Sequence, residues 1–131
     1  MRDLGEAFSF SLARQHYYNA ATYAHSGDWD AVRREAETVI GLYDHPAASK
    51  KWPVTMSLAQ VHLAQARLHT DGPDGAFDAL QPVLAIPGEQ RIPQTSQALR
   101  TLRRQLRATP AAGLPAARDL DEAIDNFQPH A

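Results

Sequence analysis

The fold is decided by residues 16–42, which read HYYNAATYAHSGDWDAVRREAETVIGL. Apolar and small residues recur at a spacing of three to four around the centre of this stretch, as on helices that each bury one face. These residues are Leu12, His16, Ala20, Tyr23 and Ala24 before the centre, and Trp29, Val32, Ala36, Val39 and Ile40 after it. Gly27 supplies the open backbone that a helix end prefers, and Asp28 can cap the helix that follows. The stretch therefore predicts two antiparallel helices joined by a tight turn.

The composition is ordinary for one soluble globular domain. The chain has 131 residues, of which 44% are hydrophobic and 21% are charged, and this length is enough to bury a core. No cysteine is present, which excludes disulfides, thiol chemistry and thiolate zinc sites. The formal net charge of −2 gives no bulk attraction to nucleic acid. No apolar run approaches the roughly 20 residues that span a bilayer, and the N-terminus lacks a signal-peptide pattern. We therefore expect a cytoplasmic protein without membrane contact.

The rest of the sequence predicts further helices and no β-type alternation. The expected fold is all-α, with about six helices in a single domain over residues 1–131. Repeat-like helix pairs are predicted over residues 3–43 and 53–86, and terminal helices over residues 91–107 and 115–127.

Prolines mark four of the helix starts, because proline suits the first helical turn. They are Pro53, Pro73, Pro93 and Pro115. Pro82 falls inside the fourth helix and predicts a kink or an early end there. Residues 109–113 are predicted to form a linker. The third helix is apolar over much of its circumference, which predicts a position at the centre of the domain.

Both helix pairs match part of the tetratricopeptide pattern, W-x2-L-G-x2-Y followed by A-x3-F and P over ~34 residues. In the first pair the matching positions hold His16, Asn19, Ala20, Tyr23, Val32 and Ala36. In the second pair they hold Leu63, Ala64, Ala76 and Leu80. The pattern predicts antiparallel helical hairpins stacked as a short tetratricopeptide-like α-solenoid.

The chain as a whole resembles the tetratricopeptide-type C-terminal region of bacterial helix-turn-helix transcriptional regulators of the XRE class. The resemblance rests on Gly27-Asp28-Trp29, on residues 64–87, on the arginine-rich helix after Gln90-Arg91-Ile92 and on residues 116–122. It implies that the helical region senses a ligand or partner, or mediates dimerisation, while a separate N-terminal domain binds DNA. Because no such domain is found in this chain, we expect no direct nucleic acid binding by these residues.

A concave groove is the main candidate for a binding site, because in stacked hairpins the first helix of each pair lines the inner surface. The pattern assigns to it Arg14, Tyr17, Tyr18 and Ala21 from the first helix, and Val61, His62, Gln65 and His69 from the third. This mixture of aromatic and polar groups suits a peptide or a small molecule. The alternative is that the groove is shallow and that the last two helices fill it.

An arginine stripe on the fifth helix has two interpretations. Its members are Arg100, Arg103, Arg104 and Arg107. They have the helical spacing to contact phosphates or a lipid surface. The interpretation we favour is ion pairing with the acidic last helix, which carries Asp119, Asp121, Glu122 and Asp125.

The histidines do not form a metal-binding pattern. His62 and His69 lie seven residues apart, whereas helical metal-binding pairs use a spacing of four. His16, His25 and His45 have no carboxylate at a diagnostic offset. We therefore expect no metal, no cofactor and no catalytic site.

The sequence favours a non-catalytic module that binds a protein, a peptide or a small effector, as the sensory or interaction part of a bacterial regulator. The alternative is a structural domain that forms a homodimer. An uncapped stack leaves apolar ends that can associate, and Leu4 and Phe8 are the expected patch.

Overall fold

A computed structural model describes residues 2–42, 53–87 and 93–127, with side chains described from residue 12 in the first range and from residue 55 in the second. These ranges are helical apart from short connections, and no β-strand occurs within them. The prediction of an all-α fold is confirmed.

Six α-helices occupy the described ranges. They are α1 (Arg2–Ser26), α2 (Trp29–Leu42), α3 (Pro53–Thr70), α4 (Pro73–Leu84), α5 (Pro93–Ala108) and α6 (Pro115–Phe127). All four prolines that were predicted to start helices do so, because their fixed φ suits the first turn. The early end predicted at Pro82 is not observed there, because α4 continues through Pro82 and ends two residues later at Leu84.

The predicted linker over residues 109–113 is partly wrong, because Pro110–Gly113 form a 3-10 helix. The backbone N–H of Ala112 donates to the carbonyl of Thr109 at 3.1 Å, and the N–H of Leu114 donates to the carbonyl of Ala111 at 3.0 Å. Pro110 begins this 3-10 helix and Pro115 begins α6, so the residues between the two prolines form a single tight turn. The composition of residues 44–51, which include His45, predicts a loop, and these residues lie outside the described ranges.

The turn between α1 and α2 is closed by backbone hydrogen bonds around Gly27. Gly27 has a φ of 76°, a conformation that favours glycine. The N–H of Asp28 donates to the carbonyl of Tyr23 at 3.0 Å, and the N–H of Gly27 donates to the carbonyl of Ala24 at 3.2 Å. This is the Schellman arrangement that ends a helix at a left-handed residue. Asp28 caps α2 as predicted, because its Oδ1 accepts the N–H of Ala31 at 3.3 Å.

Replacing Gly27 with alanine tests this turn. A Cβ at Gly27 meets no atom within 4 Å, so the cost is backbone strain alone, about 1–2 kcal/mol of unfolding free energy. Gly41→Ala is the matched control, because Gly41 also has open space around it but lies within helix α2. That change should stabilise the protein by up to about 1 kcal/mol. Urea denaturation measures both, and a Gly27→Ala variant as stable as the parent would contradict the strain argument.

Helices α1, α2 and α3 meet in two small layers, each built from one residue of each helix. The first layer contains Ala13, Val39 and Ala59. The second contains Ala20, Val32 and Ala66. From the first layer to the second, the residue number rises on α1 and on α3 but falls on α2. Helix α1 therefore runs parallel to α3 and antiparallel to α2. Alanine at four of these six positions lets the helix axes approach closely.

The larger core lies among α3, α4, α5 and α6. Its fully buried large side chains are Val61, Leu80, Val83, Leu99, Leu102, Leu106, Leu120, Ile124 and Phe127. Helix α3 packs against α1, α2, α4 and α5, which confirms its predicted central position. Helix α5 packs against α3, and helix α6 packs against α4.

The buried face of α1 differs from the predicted stripe. Tyr23 was predicted to face inward, but it is 39% exposed, whereas Ala13 is fully buried. Helix α1 packs against both α2 and α3, so its buried face turns toward Ala13 and Ala20, with Tyr17 and Ala24 packed beside them. The periodicity of one helix does not show where a second neighbouring helix, here α3, will pack against it.

Candidate binding surface

Parallel packing of α1 and α3 joins several predicted site residues into one continuous strip. The Tyr17 ring lies between two others, with centroids 5.6 Å from that of Tyr18 and 5.2 Å from that of His62. On α1 the strip continues to Arg14, and on α3 it continues to Gln65. The strip from Arg14 to Gln65 is hereafter the α1–α3 surface.

Tyr18 and Arg14 form the open end of the α1–α3 surface. The Tyr18 side chain is 56% exposed, although it is a large aromatic group. Arg14 Nη2 donates to Tyr18 Oη at 3.4 Å, and the guanidinium carbon lies 5.9 Å from the ring centroid. Gln15 and Asn19 complete the lining of an open depression of about 310 Å³. The depression therefore offers a cation, an aromatic face and two amides to a partner.

Tyr17 and His62 form the half-buried centre of the surface. His62 Nδ1 lies 3.0 Å from Gln65 Oε1, a geometry in which Nδ1–H donates to the amide oxygen. Burial lowers the pKa of the His62 imidazole below its ordinary value, and the hydrogen bond to Gln65 opposes this effect. Burial raises the pKa of the Tyr17 hydroxyl, and the neighbouring Tyr18 adds to the increase. Both groups are therefore uncharged at neutral pH.

His69 and Trp29 stack at the end of the α1–α2 hairpin. Their ring centroids are 4.1 Å apart and their planes differ by 8°. His69 Nδ1 also donates to the backbone carbonyl of Gln65 at 2.9 Å. Trp29 was predicted only as a core residue, but it is half-buried and also forms one side of this exposed stack.

Most of the predicted groove residues lie on or beside the α1–α3 surface. Ala21 is half-buried and lies one turn along α1 from Tyr17. Gln65 is only 7% exposed, so it supports His62 more than it faces a ligand.

The prediction that Val61 lines the groove is wrong. Val61 is 2% exposed and belongs to the same buried cluster as Leu99 and Leu102 of α5. Val61 therefore belongs to the core of the domain and does not line the groove. Sequence reasoning missed Gln15 and Asn19, although both follow the helical spacing set by Arg14 and Tyr18.

A contact between His16 and Glu35 was also missed. His16 Nδ1 contacts Glu35 Oε2 across the α1–α2 hairpin, and both side chains are half-buried. Glu35 is half-buried, whereas Arg33, Arg34 and Glu37 of the same helix are exposed. The two residues are 19 positions apart, so a search for a carboxylate at a local offset does not find this pair.

The arginine stripe pairs with α6 as the favoured interpretation predicted. Arg103 Nε lies 2.8 Å from Asp121 Oδ1, and Arg103 Nη1 lies 3.0 Å from Asp125 Oδ1. Arg107 Nε lies 3.1 Å from Asp121 Oδ1. The hydrogen bond from Arg103 is the main reason that the pKa of the Asp121 carboxyl is lowered, and Arg107 adds to it. Arg100 and Arg104 are exposed, and Arg104 Nη2 donates to Thr101 Oγ1 at 3.2 Å.

Asp121→Asn should lower the unfolding free energy at pH 7 by about 1–2 kcal/mol, because it removes the charge that holds two arginines. The folded-state pKa of Asp121 is lowered, so its contribution is complete above the unfolded-state pKa and is lost as pH falls through the folded-state pKa. The gap between parent and variant should therefore close as pH falls below about 4.

Glu122→Gln is the control for this prediction, because Glu122 is an exposed acid on the same helix. Its effect on stability in urea should stay within about 0.5 kcal/mol. A stability gap for Asp121→Asn that stays constant from pH 7 to pH 3 would contradict the pairing.

A second depression, of about 750 Å³, lies between α4 and α6. Its lining includes the carboxylates of Asp74, Asp78 and Asp119 beside the half-buried Phe77 ring. Arg67 Nη1 approaches Asp78 Oδ2 at 4.0 Å. Acidic groups alone do not define a ligand, so the α1–α3 surface is the stronger candidate.

Within the described ranges, no three histidine, aspartate or glutamate side chains are grouped so that they could hold a metal ion. Each described helix is too short or too polar to cross a bilayer. Comparison with protein-family models, with curated proteins and with solved structures gives no match to this chain. The resemblance to helix-turn-helix regulators therefore stays a prediction.

Proposed function

We propose that this helical domain is a non-catalytic module that binds a protein or peptide partner through the α1–α3 surface. The observation that carries the proposal is the exposed Tyr18 ring, held on a regular helix beside Arg14. Tyrosine and arginine are enriched among the residues that dominate binding energy at protein interfaces. Covering Tyr18 would remove an apolar ring from water while its hydroxyl keeps the hydrogen bond from Arg14.

The shape of the surface supports a polypeptide partner more than a small effector. Small-molecule sites usually enclose most of the ligand surface in a deep cavity. The depression beside Tyr18 is open, and Tyr17 and His62 extend the surface toward α3. An extended partner can contact both helices at once, whereas a small effector in this depression would stay largely in water.

The wider role that we propose is the interaction part of a bacterial transcriptional regulator that acts in the cytoplasm. The support for it is the resemblance in Gly27-Asp28-Trp29, in residues 64–87 and in the arginine-rich α5. The turn at Gly27 has the predicted geometry, but a turn of this kind occurs in many helical proteins. The regulator role thus depends on sequence motifs, and the binding role depends on the surface.

Self-association is the alternative function, and the described outer faces do not favour it. The exposed residues of α2 include Asp30, Arg33, Arg34 and Glu37. Those of α6 include Arg118, Asp119, Glu122 and Asp125. Charged faces at both ends of a helical stack oppose the apolar contact that a stable homodimer needs. The side chains of Leu4 and Phe8, the patch predicted for dimerisation, lie outside the described residues.

Tyr18→Ala should weaken partner capture by at least about tenfold, the loss expected for a central aromatic at an interface. Tyr23→Ala is the matched control, since Tyr23 is an exposed tyrosine on another face of the same helix. Tagged variants of equal helicity by circular dichroism would capture partners from a bacterial extract, and calorimetry would then measure the affinity for the captured protein. Equal capture by the parent and Tyr18→Ala would exclude this surface as the binding site.

A further inference from the structure

The α1–α2 hairpin is held by a different kind of core from the rest of the domain. Among the largest fully buried side chains in the described ranges, the hairpin contributes only Val32 and Val39. The bulky leucine, isoleucine and phenylalanine side chains of this set all come from α4, α5 and α6. Ala36 and Ile40 of α2 also join the larger core, and the half-buried Tyr17 and Leu42 pack on the first layer. The hairpin still contributes fewer large, fully buried side chains than the leucine-rich core, and regions with less buried apolar area open at lower free energy.

A polar level separates the two alanine–valine layers of the hairpin. Tyr17 of α1 falls between the layers at Ala13 and Ala20, and His62 of α3 falls between Ala59 and Ala66. Their rings contact each other, with His62 hydrogen-bonded to Gln65. His16 and Glu35 make the corresponding contact between α1 and α2 at the same level.

We propose that this level makes the α1–α2 hairpin an acid-releasable unit: protonation of His62 detaches the hairpin from α3 while the α3–α6 body stays folded. Release would separate Tyr17 and Tyr18 from His62 and so divide the α1–α3 surface, whatever that surface binds. It does not require the proposed function to be correct.

The burial of His62, rather than a neighbouring charge, opposes an imidazolium there. From α1 the facing groups are Tyr17 and Tyr18 with Arg14 and His16, and from α2 the facing group is Glu35, which His16 already engages. On α3 itself, Gln65 contacts the ring, His69 stacks on Trp29, and Arg67 approaches Asp78 of α4. The residues that α5 buries are uncharged; they are Thr95, Ser96, Leu99, Leu102 and Leu106.

A positive His62 would thus gain one amide oxygen and the Tyr17 ring as partners, while it loses hydration. The Tyr17 ring offers a cation–π attraction, but the lowered pKa of His62 shows that burial outweighs the favourable contacts. The closed chain therefore lacks a proton that His62 takes up once the hairpin is released from α3. Below the ordinary histidine pKa, opening becomes more favourable by up to about tenfold for each pH unit, until the folded-state pKa is reached.

Hydrogen exchange of the full chain, followed by mass spectrometry at pH 7.5 and pH 5.0, tests the proposal. After correction for intrinsic exchange rates, peptides from residues 12–42 should exchange faster at pH 5.0 than at pH 7.5. Peptides from α4, α5 and α6 should change by less than about twofold. His62→Gln should abolish the response, since glutamine keeps a hydrogen-bonding side chain without titrating in this range. His25→Gln is the control, because His25 is exposed on the same hairpin and its loss should leave the response intact.

Three results would overturn the proposal. They are equal acceleration in all helices, no acceleration in the hairpin, and a response that persists in His62→Gln and so belongs to another group such as His16. If His62→Gln does not fold, an NMR titration of the unmodified chain decides the matter. The midpoint of hairpin opening must then coincide with the titration of the His62 ring, and separate midpoints would reject the mechanism.

Discussion

The matched register of alanines along α1 and α3 is the constraint on which the other features depend. Ala13 lies at the level of Ala59, and Ala20 lies at the level of Ala66. Because these side chains are small, the two parallel helices approach closely enough for Tyr17 to touch His62. A larger residue at any of these positions would force the axes apart or strain the backbone. The candidate surface spans both helices, so it exists only while this register is kept.

The helices and turns could be predicted from the sequence, because their causes are local. Periodicity, proline at helix starts and the glycine at position 27 each act within a few residues. The side-chain environments were less predictable where they depend on a second neighbour. Tyr23 was expected inside and Val61 outside, because one periodicity does not show that α1 has two partners or that α5 covers α3. The contact between His16 and Glu35 was missed for the same reason, since only the tertiary fold brings them together.

The α3–α6 body and the α1–α2 hairpin are packed by different kinds of side chain. Leucine and phenylalanine side chains fill the space among α3, α4, α5 and α6, and each buried CH₂ contributes about 0.8 kcal/mol. Alanine in the α1–α2 hairpin contributes less area but permits close approach. The ion pairs of Arg103 and Arg107 orient α6 on the leucine-rich part, and each contributes no more than about 1 kcal/mol because it is partly exposed. The domain therefore consists of a well-filled body and a more lightly held hairpin, and the candidate binding surface lies across their boundary.

The contacts between His16 and Glu35 and between Tyr17 and His62 explain how α1 keeps one register against α2 and α3. The two layers have the same composition, two alanines and one valine, and they lie seven residues apart on each helix. A slip of α1 by two turns would rebuild one alanine–valine layer almost unchanged, so apolar packing alone discriminates weakly between the two positions. The same slip would separate His16 from Glu35 and Tyr17 from His62, and the loss of each contact would cost about 1 kcal/mol. His62, to which we assign the acid sensitivity of the hairpin, is thus also one of the groups that fix its position, because its contact with Tyr17 is lost in the slipped register.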